Sequence, residues 1–200
     1  MPAEVPLYRQ SYGYSCGPAS LLMVMGFLDR DLVLDETLEM DVWRDANLGE
    51  SRATSAYGLA LAALRRDFGA KVWTESEGIG FERRLKEHFP AIDMERMLKL
   101  YEDKKDQARN MGVEEIRIRV ELETIEEELG KGSHPIVLVS SGMMGEWVQI
   151  PHWIVVIGID GRRVTIQNPE TARIESYRRK RFTKFLGFQG QTRMVSIYSR

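Results

Sequence analysis

The only cysteine of this 200-residue chain stands in a context that could make it a nucleophile. Cys16 lies within the segment RQSYGYSCGPASLLMVMGFL. Gly17 lets the backbone approach a ligand closely, and Pro18 suits the first turn of a helix. The pattern therefore predicts Cys16 at a helix N-terminus, where free N–H groups and the helix dipole stabilise a thiolate and lower its pKa. The alternative is a small buried residue without chemistry, the usual role of a free cysteine.

A nucleophilic cysteine requires a base, and the three histidines of the chain differ in their suitability. His88 lies in the charged stretch KEHFP and is predicted at the surface, whereas His134 precedes a proline in a loop. His152 opens HWIVVIGID, the most apolar strand candidate. A titratable group at the mouth of a buried strand needs a polar partner or a cleft. His152 is therefore the predicted base.

The base in turn needs a group that orients its ring, and Asn168 is the candidate. Asp160-Gly161 is a hairpin signal between IVVIGI and RVTIQN. A two-residue turn at these positions would pair Asn168 with Trp153, one residue from His152. The Asn168 amide oxygen could then accept from one ring N–H and leave the other nitrogen to the thiol. Taken alone, Asn-Pro is only a turn signal.

An acyl-transfer site also needs donors where the oxyanion develops. Gln10 lies six residues before Cys16. Its side-chain amide and the Cys16 backbone N–H could supply two such donors. This assignment depends on the cysteine, histidine and asparagine, because a lone glutamine in a loop would carry no information.

The elements that must position these residues are a helix near the start of the chain and a sheet near its end. Apolar residues at helical spacing predict a buried helix over 17–29. A second short helix is expected within 30–41, and AYGLALAALRRDFG is predicted as a helix that ends at Gly69. ELETIEEELGKG is a predicted helix, and the basic run from Arg178 to Arg181 is expected on a helix or turn. The strand candidates are AKVWTE, IRIRV, PIVLVS, HWIVVIGID, RVTIQNP and RMVSIYS. Helices first and most strands later indicate an α+β fold.

Residues 76–119 differ from the rest of the chain in their charge density. The stretch FERRLKEHFPAIDMERMLKLYEDKKDQARNMG predicts one or two exposed helices, broken near Pro90. Its apolar residues form one stripe, made of Met94, Met97, Leu98 and Tyr101. We expect a charged helical insertion within a single domain spanning residues 1–200. It would act as a lid or as a surface for a partner.

The loop SSGMMGEWVQIP, just before His152, carries adaptable apolar groups. Met143, Met144 and Trp147 would either form a wall of a substrate cleft or pack onto the body of the protein. The sequence is compatible with both arrangements.

Composition excludes several classes of function. The chain is 43% hydrophobic and 29% charged, which is typical of a globular protein. A net charge of -2 argues against nucleic acid or a membrane surface as a partner. No apolar run can span a bilayer, and MPAEVPLYRQ lacks the features of a signal peptide. A single cysteine requires no oxidising compartment. We therefore expect a cytoplasmic protein that uses no cofactor and no metal.

Together these motifs resemble a known family. The order Q-x5-C-G-P-A-S, an apolar helix, PHWIVVIGID and then NP after the next strand is similar to the bacteriocin-processing (double-glycine leader) cysteine peptidases, which have the papain-like fold. DVWRDANLGESRATSAYGLALAALRRDFGAKVW resembles a stand-alone cytoplasmic branch rather than the transporter-fused branch. The resemblance covers residues 5–75 and 120–198 and is weak or absent over 76–119.

The resemblance implies an α+β, papain-like cysteine peptidase fold, with an N-terminal nucleophile helix packed on a C-terminal antiparallel sheet. It implies that Gln10 is the oxyanion-hole glutamine, Cys16 the nucleophile and His152 the base. Asn168 stands where the transporter-fused members usually have aspartate. Papain-like enzymes also use asparagine there, although the change removes a charge that would stabilise the imidazolium. The fused members cut after a Gly-Gly leader, and without a transporter part in this chain that substrate is not expected.

The expected function is that of a cysteine hydrolase, which cleaves a peptide or amide bond in a peptide or protein substrate through an acyl-thioester on Cys16. The residues expected to contact the substrate are Gly17, Met143, Met144, Trp147 and Trp153. One alternative is an acyl or peptidyl transferase that passes the same thioester to an amine. Another is a non-catalytic peptide-binding domain, which the intact Gln-Cys-His-Asn set disfavours. Hydrolase and transferase differ only in whether the closed cleft admits water or an amine.

Overall fold

The structure, a computed structural model, describes residues 4–88 and 90–200. Within these residues the chain forms seven α-helices: α1 Cys16–Leu28, α2 Glu36–Ala46, α3 Ala56–Leu64, α4 Glu82–His88, α5 Met94–Asn110, α6 Leu122–Gly130 and α7 Arg179–Phe185. It also forms seven strands: β1 Phe68–Thr74, β2 Glu114–Ile116, β3 Ile136–Ser140, β4 Pro151–Ile159, β5 Arg163–Asn168, β6 Arg173–Arg178 and β7 Arg193–Ser199. Short 3-10 turns are found at Gly49–Ser51 and Ser141–Met143.

The seven strands form one sheet in the order β2-β1-β7-β3-β4-β5-β6. The pair β1 and β2 is parallel, and the other five pairs are antiparallel. The main core lies on one face, beneath α1, α2, α3 and the apolar side of α5. A second core lies on the other face, beneath α6 and α7. The predicted α+β fold, with the cysteine helix packed on a C-terminal sheet, is confirmed.

Helix α3 ends earlier than the sequence predicts. It stops at Leu64, Asp67 adopts a left-handed φ of 64°, and the chain enters β1 at Phe68. Gly69, the predicted end of the helix, lies inside that strand. An ideal Cβ on Gly69 would be 2.1 Å from the Tyr198 ring, so this glycine makes room for packing between β1 and β7.

Two strands also differ from the prediction. In IRIRV only Ile116 belongs to β2, and the chain then leaves the sheet, with the Val120 N–H bonded to Thr192 Oγ1 at 2.8 Å. Strand β6 was not predicted from the sequence. It is an edge strand whose half-buried positions are Glu175 and Tyr177, whereas Ile174 is exposed, so its apolar residues do not alternate along the sequence.

Residues 76–119 pack on the body of the protein instead of standing away from it. The break between α4 and α5 falls near Pro90, as predicted. Met97 and Tyr101 of α5 are buried in the main core, where the Tyr101 ring meets Tyr57 of α3 edge to face, 5.8 Å between centroids. The expectation of exposed helices is wrong for this side of α5, because α3 is apolar on all sides and needs a cover.

Candidate active site

Cys16 is the first residue of α1, as predicted. A tight turn precedes it, in which Ser15 Oγ accepts from the Tyr12 N–H at 3.1 Å and donates to the Tyr12 carbonyl at 2.9 Å. The next residue has to be small, because an ideal Cβ on Gly17 would lie 2.3 Å from Thr54 Oγ1. Helix α1 is buried from Gly17 to Gly26 and packs on β4. Cys16 is therefore held on a rigid element, and the residue as a whole is half-buried.

His152, the second residue of β4, pairs with Val139 of β3 and is 5% exposed. Its ring lies beside Cys16, since the two residues line the same cavity and shift each other's pKa. The Nε2 atom lies 3.1 Å from Asn168 Oδ1. Because the amide oxygen can only accept, Nε2 carries a hydrogen, and Nδ1 is the nitrogen left to face the thiol. The structure thus brings Cys16, His152 and Asn168 together, with His152 between the other two residues. The sequence motifs predicted this arrangement.

The turn between β4 and β5 is displaced by one residue from its predicted place. The Asp160 N–H donates to the Arg163 carbonyl at 2.9 Å, so the central residues are Gly161 and Arg162. The Asp160 carboxylate accepts from the N–H groups of Arg162 and Arg163 at 2.7 and 2.8 Å. Asp160 was predicted as a central residue of the turn, but it lies just before the two central residues and stabilises the turn with its side chain.

A bulge in β4 shifts the pairing back by one residue, so that Val155 lies opposite Gln167. Continuing this register places Asn168 opposite Ile154. Ile154 is two residues from His152, and side chains two apart point to the same side of a strand. The predicted partner, one residue earlier in β4, is wrong, and that register would have turned Asn168 to the other face of the sheet.

The Asn168 side chain is fixed by a carboxylate on β6, that of Glu175, which lies on the side away from His152. Its Nδ2 donates to Glu175 Oε1 at 3.0 Å, and the same oxygen accepts from Thr171 Oγ1 at 2.9 Å. The Tyr177 hydroxyl donates to the other oxygen of Glu175. Burial and the neighbouring carboxylate raise the pKa of Tyr177, so this hydroxyl stays a donor. Glu175 was missed in the sequence, because it lies on the strand that left no recognisable pattern.

The thiol and the imidazole shift each other's pKa. Burial alone would raise the pKa of Cys16. The charge of His152 and hydrogen bonds from the ring and from the N–H groups of Trp153 and Gly17 outweigh burial and lower the pKa. Burial alone would lower the pKa of His152, but the thiolate of Cys16 and the hydrogen bond with Asn168 raise it. Both shifts favour a thiolate–imidazolium pair.

A cavity of about 170 Å³ opens beside the thiol, with both Cys16 and His152 in its lining. Most of the other lining residues are apolar, and most come from residues 48–56, 79–101 and 138–153. They include Leu48, Ile79, Phe81, Leu85, Tyr101 and Trp153. Concave apolar sites with a few polar groups are typical of small-ligand and substrate sites.

Two of the five expected substrate-contacting residues lie at this site. Trp153 is 4% exposed and lines the cavity, and its Nε1 donates to the Thr54 carbonyl at 3.3 Å. Gly17 directly follows Cys16, and the Thr54 and Trp153 side chains occupy the space that a Cβ on this residue would need. It is buried, so its part is to let these groups approach Cys16.

The other three, on the loop before β4, lie elsewhere. Met143 is fully buried in the second core, and Met144 lines a separate hollow between this loop and β6. Trp147 is fully exposed and lines neither space. The loop folds back on Ser141, whose N–H donates to the Ile150 carbonyl at 2.9 Å. Ile150 of this loop lines the cavity, whereas Met143, Met144 and Trp147 do not.

Gln10 lies in the segment that leads into α1, and its N–H donates to the Pro169 carbonyl at 2.8 Å. Its Nε2 donates to the Tyr12 carbonyl at 2.8 Å, and its buried Oε1 has no partner among the described residues. The segment is fixed by the buried carboxylate of Glu39, which accepts from the Ser11 N–H at 3.0 Å. Gln10 does not line the cavity, and the second hydrogen of its Nε2 has no partner among the described residues.

His134 does not join this group. The His134 ring packs edge-on against Phe27 near the far end of α1, 4.4 Å between centroids, and burial lowers its pKa. The side chain of His88 lies outside the described residues, so the prediction of a surface position for it stays a prediction.

Over residues 4–88 and 90–200, no group of three or more histidine, cysteine, aspartate or glutamate side chains is placed to hold a metal ion. In the same part of the chain, no helix combines the length and the apolar character that crossing a membrane requires.

Comparison with solved structures defines the class of fold. The chain is similar to a double glycine motif protease from an AMS/PCAT transporter, whose crystal structure contains the leader peptide. The two chains are 17% identical with a TM-score of 0.51, over 98% of this chain and 93% of the other. The architecture is therefore that of a papain-like peptidase domain. The chain belongs to the Peptidase_C39 like family, whose model matches residues 5–182. A search of curated protein sequences finds no match.

Proposed function

We propose that this protein is a cysteine peptidase that cleaves a peptide or amide bond through an acyl-thioester on Cys16. The observation that carries the proposal is that Cys16 and His152 line one cavity, while His152 Nε2 lies 3.1 Å from Asn168 Oδ1. Three residues distant in the chain lie together, and this supports the assignment of Cys16 as nucleophile, His152 as base and Asn168 as the group that orients the base. Family membership and the fold of the double glycine motif protease support the same class of reaction.

In the first half of the reaction the Cys16 thiolate attacks the carbonyl carbon and forms the C–S bond. The charge that develops on the carbonyl oxygen is stabilised by the Cys16 N–H at the start of α1 and by Gln10 Nε2. The C–N bond then breaks, and the leaving amine takes a proton from the His152 imidazolium. The products are a thioester and a neutral imidazole.

In the second half His152 takes a proton from water as the water oxygen attacks the thioester carbonyl. The C–O bond forms, the C–S bond breaks, and the thiolate and imidazolium are restored. Asn168 keeps the ring oriented through both halves, since it accepts from Nε2 whether or not Nδ1 carries a proton. An acyl transferase would share the first half and replace water by an amine, so products formed with an added amine distinguish the two activities.

The pairing of thiol and imidazole predicts a specific pH dependence of alkylation. The rate of iodoacetamide labelling at Cys16 should rise with a midpoint below about 8.5, the value for a free cysteine. His152→Ala should move this midpoint upward, because the buried thiolate loses the charge that offsets its desolvation. Mass spectrometry of the labelled protein across pH gives both midpoints.

The matched control is His134→Gln, which changes a histidine away from the thiol and should leave the midpoint in place. A wild-type midpoint at or above about 8.5 contradicts the proposal. The same holds if His152→Ala labels with the wild-type profile.

A further inference from the structure

The cavity beside Cys16 has the size of one bulky side chain. Its volume is about 170 Å³. An engineered apolar cavity of about 150 Å³ in another protein stays dry and binds benzene. A leucine or phenylalanine side chain therefore fits the space beside the thiol, whereas glycine at the same position would leave the cavity unfilled.

Much of the cavity wall comes from residues 76–119, the segment that the sequence motifs did not explain. Ile79, Phe81, Leu85 and Tyr101 all belong to it and line the cavity. The Phe81 ring packs edge to face on Phe188, 5.3 Å between centroids, while Tyr101 packs on α3. The segment thus forms a packed wall of the cavity whose shape is set by the core.

Arg193 lines the cavity as well, but its hydrogen-bonding capacity is used elsewhere. Its Nη1 donates to Thr74 Oγ1 at 2.6 Å, and its Nη2 donates to the carbonyls of Gly78 and Ile79 at 2.7 and 2.9 Å. The guanidinium therefore ties the wall segment to β1. Because it donates to the Ile79 carbonyl, it also holds Ile79 in the lining.

One polar atom near the thiol lacks a partner. Thr54 Oγ1 is buried and has no hydrogen-bond partner among the described residues, and Thr54 lines the cavity. The oxygen lies 2.3 Å from the position of an ideal Cβ on Gly17, directly next to Cys16. An unpaired buried hydroxyl is costly, and this one is enclosed by protein atoms between Gly17 and the cavity wall.

From these observations we infer that the cavity selects substrates with a bulky apolar side chain, of leucine or phenylalanine size, on the acyl side of the cleaved bond. This inference rests on the proposed function. The acyl side is assigned because the acyl group stays on Cys16 through both halves of the reaction, whereas the amine must leave. A pocket continuous with the thiol suits the part that stays.

The test uses peptides that carry a thiol-reactive vinyl sulfone and differ only in the residues on its acyl side. The set contains glycine-glycine, and glycine replaced by alanine, leucine, phenylalanine or tryptophan at each of these two positions in turn. The second-order rate of Cys16 labelling is measured for each probe. We expect leucine or phenylalanine at one position to exceed glycine by about tenfold or more, the range that an apolar pocket provides for added methylenes.

Two variants of one lining residue change the cavity in opposite directions. Leu85→Trp should fill it and reduce the advantage of phenylalanine over glycine by about tenfold, whereas Leu85→Ala should enlarge it and move the preference to tryptophan. Arg83→Ala is the matched control on the same helix, because its side chain is 93% exposed. It should keep the wild-type preference.

Iodoacetamide labelling tests the reactivity of Cys16 separately from the preference of the cavity, because iodoacetamide is too small to need the cavity. If it labels Cys16 in a His152-dependent way and all probes react within about threefold of the glycine probe, the inference is overturned and the proposed function stands. A preference that Leu85→Trp and Leu85→Ala both leave unchanged also overturns it. If iodoacetamide labelling does not depend on His152, the proposed function itself fails.

Discussion

Asn168 presents a neutral amide to His152, and a carboxylate stands directly behind it. Glu175 accepts from Asn168 Nδ2 at 3.0 Å, which fixes the amide with its oxygen toward the imidazole. The negative charge is thereby placed one side chain further from the ring than an aspartate at position 168 would place it. Hydrogen bonds that polarise one another can transmit part of its effect to the imidazolium.

Replacing Glu175 by glutamine tests this arrangement. Glu175→Gln removes the charge and weakens the bond that orients Asn168, so the imidazolium loses stabilisation and the pKa of His152 falls. We expect kcat/KM on a peptide substrate to fall by about tenfold or more, since hydrogen bonds to charged groups contribute about 1.5–3 kcal/mol. The upper limb of the pH profile should move to lower pH.

Ile174→Ala is the control for this change, because the residue adjoins Glu175 on β6 and is 57% exposed. It should leave both the rate and the profile unchanged. A pH profile of Glu175→Gln that coincides with the wild-type profile would mean that the carboxylate has only a structural role.

The side chain of Gln10 has an available hydrogen on Nε2, and its removal should affect the transition state more than the bound substrate. Gln10→Ala should lower kcat by about 10²–10³-fold, or roughly 2.7–4 kcal/mol, with little change in KM. Labelling of Cys16 by iodoacetamide should persist. Steady-state kinetics on a cleaved peptide measure both constants.

Leu7→Ala, which changes an exposed residue of the same segment, is the matched control. If kcat of Gln10→Ala stays within about threefold of the wild type, the oxyanion is stabilised by backbone groups alone. A raised KM with an unchanged kcat would instead assign Gln10 to binding of the substrate chain.

At the scale of elements, the start of α1 is the joint on which the site depends. Here the loop, the helix and β4 approach so closely that an ideal Cβ on Gly17 lies 2.3 Å from Thr54 Oγ1 and 3.1 Å from Trp153 Cδ1. The N–H groups of Gly17 and Trp153 also stabilise the thiolate. Displacement of this joint therefore changes the position and the pKa of Cys16 together.

Gly17→Ala is expected to force such a displacement. The added methyl group should cost about 1–3 kcal/mol of unfolding free energy, as overpacking of a core does. It should also raise the pH midpoint of Cys16 alkylation toward about 8.5, the value for a free cysteine. Urea denaturation and iodoacetamide labelling across pH measure the two effects.

Gly13→Ala provides the comparison, because an ideal Cβ at Gly13 meets nothing within 4 Å. It should leave stability and the labelling midpoint close to the wild type. Wild-type behaviour of Gly17→Ala would show that the joint has room to relax.

At the scale of the whole molecule, residues 76–119 join the main core and the cavity. Tyr101 takes part in both, since it is 2% exposed, packs on Tyr57 of α3 and lines the cavity. Its burial raises its pKa to about 12, so the hydroxyl stays protonated. The segment therefore supports the fold and the shape of the site through the same side chain.

Tyr101→Ala should destabilise the protein by about 3–5 kcal/mol, the cost of truncating a large aromatic side chain in a core. The midpoint of urea denaturation measures the loss. Met111→Ala, at the end of the same helix and 38% exposed, should cost far less. A loss below about 1 kcal/mol for Tyr101→Ala would mean that α5 is only loosely attached.

The sequence by itself determined the features that depend on residues close together in the chain. Cys16 at a helix start follows from its glycine and proline neighbours, and the buried strand after His152 follows from an unbroken apolar run. The motif order around Gln10, Cys16, His152 and Asn168 was sufficient to recognise the fold. Local backbone preference and hydrophobic periodicity act over a few residues, which is why a sequence displays them directly.

Only the tertiary structure decided how distant segments meet. The bulge in β4 puts Asn168 on the same side as His152, and it depends on pairing between two strands. Glu175 reaches Asn168 because an edge strand without periodicity pairs with β5. The cavity exists because α5 covers an α3 that is apolar on all sides. Each of these features is set by packing between residues far apart in the chain, and such packing leaves no local pattern in a single sequence.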